Sequence, residues 1–154
     1  MSVSLLLIPA ALAAAAAISA RAADQPGGSG GGLVCTVSTR MRDSALLSAA
    51  LRETGAVVTT GTDLVDAVWQ GVTARFTRDT EGIWAAHFAG DVDESRAVEI
   101  VRRLDEAYGR QVQAAVLDRL RTRAPAAGLR LESETLEEDA SVRLVFAVEQ
   151  RERA

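Results

Sequence analysis

The chain has 154 residues, 48% hydrophobic and 25% charged, which fits one globular domain plus an appendage and excludes a wholly disordered polypeptide. A net charge of −4 gives no reason to expect a nucleic-acid partner, and a lone cysteine, Cys35, excludes an internal disulfide framework. Only 4% of residues are aromatic, so the core must come mainly from Val, Leu, Ile and Ala. Every basic residue is arginine, which with the abundance of Ala, Gly and Val points to a GC-rich bacterial genome.

The first segment, residues 1–21, reads as an apolar helix. No charge occurs from Val3 to Ala20, and a helix of that length spans about 27 Å, against roughly 30 Å of membrane hydrocarbon. Pro9 interrupts the run, and the alanines that follow add little transfer energy. A cleaved signal peptide is one reading, with Ala20-Arg21-Ala22 as an A-x-A outline, but no basic residue precedes the apolar run. Arg21, Arg40 and Arg42 all follow it, so the charge bias favours a retained anchor with the folded domain in the cytoplasm; export after signal cleavage is the alternative. Residues 22–32 are Gly/Ser-rich, a flexible linker rather than a phosphate loop, since no helix opening with Lys-Ser/Thr follows.

The folded domain is expected over 33–150, with a short tail at 151–154. Leu33–Thr39 alternates as a strand with Leu33, Cys35 and Val37 on the better-buried face. Asp43 is a good N-cap for a helix carrying Leu46, Leu47, Ala50 and Leu51, and Gly55 closes it. Ala56–Thr60 and Asp63–Trp69 read as strands. Gly71–Thr77 and Ile83–Phe88 flank a Gly-containing loop and predict a hairpin. The longest periodic stretch, Glu94–Arg123, predicts a helix with Val98, Val101, Leu104, Tyr108, Val112 and Val116 as its apolar stripe. Leu129–Leu136 and Ser141–Glu149 form the clearest hairpin. The expected fold is therefore α+β: an antiparallel sheet with two main helices on one face, in the order β-α-β-β-β-α-β-β, preceded by a single transmembrane-like helix.

Several stretches carry a family likeness: Cys35–Asp43 with Leu46–Leu51, Val68-Trp69-Gln70-Gly71, Arg102–Tyr108, and the closing pair Gly128–Glu134 and Ser141–Val145. On these the domain, over about residues 34–150, resembles the family of unknown function typified by the hypothetical chloroplast reading frame thirty-five protein, here with an added N-terminal apolar helix. The resemblance implies a protein partner, with the AAA-type ATPases as the class it suggests. It supplies no catalytic residues and no cofactor.

Candidate chemistry is sparse. His87, the only histidine, could serve as a general base, or could be a structural strand residue. Cys35 alternates with core positions, as a buried hydrophobe would. Glu132, Glu134, Glu137, Glu138 and Asp139 cluster at the last hairpin, where a solvated tip explains them without a metal. Trp69 and Trp84 fit a core; exposed, they would with His87 mark an interaction surface. No cofactor or metal is expected. The expected function is a non-enzymatic, membrane-tethered accessory or adaptor domain acting through protein contacts, held at the membrane by residues 3–20. The alternatives are a small-ligand or lipid-binding module on an open sheet face, using Trp69, Trp84 and Phe76, and a small enzyme using His87 with a nearby carboxylate.

Overall fold

The computed structural model describes residues 2–7 and 33–149. The expected linker, the C-terminal tail and residues 8–21 of the expected apolar helix lie outside the described residues. Two compact units are present. One comprises the described residues up to Tyr108, except the N-terminal strand; the other combines that strand with the chain from Gly109 onward.

The first unit is an antiparallel sheet of five strands with helical cover on one face. Its strands are β2 (Leu33–Ser38), β3 (Val57–Thr60), β4 (Leu64–Trp69), β5 (Val72–Arg78) and β6 (Trp84–Gly90), in the spatial order β2-β6-β5-β4-β3. Helix α1 (Ser44–Glu53) starts where the Asp43 side chain accepts from the amides of Ala45 and Leu46, at 2.9 and 3.0 Å. Those amides have no partner within the helix, so the cap fixes its first turn. The Tyr108 hydroxyl oxygen accepts from the amides of Arg42 and Asp43, at 3.3 and 3.1 Å, and holds the approach to the cap. Along the strands alternate residues point inward: Cys35 and Val37, Val65 and Ala67, Val72, Ala74 and Phe76, Trp84, Ala86 and Phe88. They pack with Leu47, Ala50 and Leu51 of α1 and with Ala97, Val101, Leu104 and Ala107 of the long helix α2 (Glu94–Arg123). This cluster is the main core.

The second unit holds the rest of α2, a 3₁₀ turn at Pro125–Ala127, and strands β7 (Leu129–Leu136) and β8 (Val142–Val148). Strand β1 (Ser2–Leu7) pairs antiparallel with β8, Ser2 opposite Ala147 and Leu7 opposite Val142, giving the order β1-β8-β7. Leu117, Ala124, Val142, Leu144 and Phe146 form its small core.

Three expectations change. The fold class is α+β as expected, but the last hairpin forms its own sheet instead of extending the first. A helix of 30 residues is about 45 Å long, more than a five-stranded sheet at about 4.8 Å per strand can cover. Its two halves accordingly supply apolar side chains to two different cores. The apolar stripe of α2 also differs from expectation: Ala97, Val101, Leu104 and Ala107 are buried, then Leu117, whereas Val116 is 37% exposed. Residues 2–7, expected at the start of an apolar helix, pair as a strand; the polar/apolar alternation of Ser2-Val3-Ser4-Leu5 suits that period. Among the described residues no helix is long and apolar enough to cross a membrane.

Candidate functional site on the open face of the five-stranded sheet

Because the helices cover only one face, the residues between the inward-facing ones form the other. The strand registers place Thr36 opposite His87, His87 opposite Arg75, Arg75 opposite Asp66 and Asp66 opposite Thr59. A polar row thus crosses all five strands. Beside it runs a second row in which Ala89 faces Thr73, Thr73 faces Val68 and Val68 faces Val57. Val57 is 73% exposed and Val68 46%.

His87 sits mid-row with both ring nitrogens engaged. Its Nδ1 lies 3.1 Å from the Thr36 hydroxyl and its Nε2 2.8 Å from the Thr77 hydroxyl. A neutral imidazole offers one donor and one acceptor, and a hydroxyl can answer either, so two threonines satisfy it in either tautomer. Partial burial pushes the imidazole pKa down from its ordinary value. The nearest carboxylate along the row, Asp66, is held by Arg75 in a two-pronged pair, Nε to Oδ1 at 2.8 Å and Nη2 to Oδ2 at 3.3 Å. A general base needs an orienting group and an open nitrogen. In His87 both nitrogens are engaged by threonine hydroxyls, which orient the ring, and neither partner is a carboxylate.

A pH dependence follows. A histidine whose folded pKa lies below its unfolded value takes up its proton more readily unfolded, so its contribution to stability is complete above about pH 6.5 and is lost as pH falls through the folded pKa. Stability measured by urea denaturation should therefore fall on acidification below that value. His87→Gln should flatten the slope there. An unchanged slope in the variant would remove His87 as its source.

Trp69 and Trp84 take the core reading and do not join His87 in one surface. Trp84 and His87 are three positions apart on β6, an odd spacing that puts them on opposite faces of a strand. Trp84 is fully buried on the helix-covered side, as is Phe76. The guanidinium of Arg78 lies over the Trp84 ring, 5.1 Å from its centroid, and the buried Trp84 Nε1 has no hydrogen-bond partner. Trp69 is half-buried on the same side as Trp84, its Nε1 donating to the Thr54 hydroxyl at 3.2 Å near the end of α1. The open face consequently offers no aromatic platform for a flat ligand.

Cys35 is 7% exposed, and burial, with Glu94 and Asp93 adding to it, raises its pKa and keeps the thiol protonated. The acidic hairpin is largely spent on arginines. Glu134 pairs with Arg121, Glu137 with Arg143 at 3.1 Å and Glu132 with Arg130 at 3.6 Å, while Asp139 accepts from the Ser141 amide at 2.9 Å. Among the described residues no three His, Cys, Asp or Glu side chains converge as metal ligands. Arg102 and Arg103 on α2 are interleaved with Glu99 and Glu106 as an ordinary solvated face.

Thr36, Thr77, Arg75 and Asp66 were not singled out by the sequence. A hairpin loop at Arg78–Gly82 would set Thr73 opposite His87; the strands instead pair from Arg78 opposite Trp84, a shift of two that brings Arg75 to His87, so this part of the row could not be counted from the sequence. Nor could Thr36, because its partner is 51 residues away. No protein-family model, curated protein or solved structure matches this chain.

Proposed function

We propose that this chain is a non-catalytic accessory or adaptor module that works through protein contacts and is tethered to a membrane by residues 3–20, with the folded domain on the cytoplasmic side. The observation that carries the reading is the open sheet face. Its His87, Thr36, Thr77, Arg75 and Asp66 are paired with one another, and it presents two exposed valines beside them, a composition suited to contact. The partner class to test first is the one the family resemblance implies, an AAA-type ATPase. The tether rests on the uncharged run from Val3 to Ala20 and the arginines that follow it, and it requires Ser2–Leu7 to leave its pairing with β8 when the segment enters the membrane.

The test uses the tagged full chain expressed in its native cell. It should remain with the membrane fraction after an alkaline wash, and detergent extracts should yield an ATPase that is lost with Val68→Asp but kept with Glu132→Ala. A chain that fractionates with cytosol overturns the tether. An ATPase retained by Val68→Asp, or none recovered, overturns the proposed contact face.

A further inference from the structure

Unpaired sheet edges attract other strands unless something blocks them, and the chain treats its edges unequally. In β2 the register shifts between Leu33 and Cys35, and in β7 between Leu131 and Ser133. Strand β7 also carries Arg130, Glu132 and Glu134. Such bulges and charges discourage pairing. The two remaining edge strands, β1 and β3, have neither, and of these β3 belongs to the five-stranded sheet. Strand β3 keeps one register with β4 from Val57 to Thr60, and its sequence, VVTT, contains no charge, proline or glycine.

The hydrogen-bond phase says what this edge offers. The Gly61 amide donates to the Leu64 carbonyl at 2.7 Å, and in an antiparallel ladder bonded and non-bonded pairs alternate. Thr59 and Val57 therefore bond to β4, whereas Val58 and Thr60 turn their N–H and C=O groups outward.

From this we infer that β3 is a self-association edge, pairing antiparallel with β3 of a second copy about a two-fold axis at Thr59. In that register Val58 of each copy meets Thr60 of the other, and each such pair exchanges both backbone hydrogen bonds. Two features select a second copy of this chain as the occupant. Val57, 73% exposed, falls opposite Gly61 of the other copy, so the most exposed large side chain of the strand meets a position with no side chain. Identical copies also meet without like-charge opposition, since the strand is uncharged and the adjacent Asp66 is neutralised by Arg75. The result is one continuous sheet with five strands from each copy, and the polar row of one open face runs on into the other. The pairing involves short strands, so the dimer is concentration-dependent. It stands on the edge geometry alone and does not require the adaptor reading.

The test is a disulfide trap in the detergent-solubilised full chain carrying Cys35→Ser. Thr59→Cys places two thiols at a non-bonded antiparallel pair, about 4.5 Å between Cα atoms, within reach of a disulfide. Mild oxidation should give a covalent dimer whose yield rises with protein concentration and exceeds several-fold that of Thr73→Cys, on the same face of an interior strand. Adding Thr60→Pro, which removes only an outward N–H, should abolish the trap while the circular dichroism spectrum is kept; Thr60→Lys serves if the proline variant does not fold. Equal trapping at Thr59 and Thr73, trapping indifferent to both Thr60 variants, or cross-linking of Thr59→Cys only to a different protein would each overturn the inference.

Discussion

Replacing Trp84 by alanine should cost the first unit about 3–5 kcal/mol of stability, the usual range for removing a large aromatic side chain from a core that cannot fully collapse. Trp84 is fully buried and shares its cluster with Phe76, Phe88, Leu104 and Leu51. The variant also removes the ring over which the Arg78 guanidinium lies. Trp84→Phe separates size from polarity. It retains most of the apolar surface and deletes Nε1, a buried donor without a partner whose desolvation costs on the order of 1–3 kcal/mol. The phenylalanine variant should therefore lose far less than the alanine variant. In both, Trp69 becomes the sole tryptophan and lies in the same unit, so its fluorescence during urea denaturation follows that unit specifically. A loss below about 1 kcal/mol for Trp84→Ala would contradict the packing described.

Gly90→Ala should be nearly as damaging, at about 3 kcal/mol, because two separate penalties coincide. Gly90 closes β6 with φ at +99°, a backbone conformation that side chains strongly disfavour. A Cβ there would also stand 2.6 Å from the carbonyl oxygen of Gly71, which is engaged by the Asp91 amide at 2.8 Å and is not free to retreat. Gly82→Ala provides the control. Its φ is +78°, yet nothing lies within 4 Å of an added Cβ, so it carries the conformational penalty without the collision. Thermal unfolding should show Gly90→Ala melting well below Gly82→Ala. Equal melting temperatures would mean that the two backbones can part at little cost.

The sequence was most legible where structure is set by near neighbours. Asp43 caps α1, the hairpins β5–β6 and β7–β8 form about the expected turns, and α2 runs from Glu94 to Arg123 as its periodicity predicts. Grouping strands into sheets was not legible. Nothing local in Val142–Val148 announces that Ser2–Leu7 will be its neighbour, and such pairings are decided by the whole chain. The candidate site divides the same way. The spacing of Trp84 and His87 already separates them across the sheet, but the expected loop at Arg78–Gly82 would bring Thr73 to His87, and only the observed register brings Arg75 there. Thr36 arrives from a strand paired across the intervening helix and three strands, beyond the reach of any periodicity.

The buried cysteine of β2 gives the molecule a built-in clock. Cys35 is the chain's only thiol, it is shielded in an edge strand, and burial disfavours its reactive anion. A thiol reagent can reach it only when that edge opens, so labelling rates under native conditions measure how often β2 leaves the sheet, as hydrogen exchange does for amides. The same buried side chain thereby reports the breathing of the sheet whose outer face is the candidate surface.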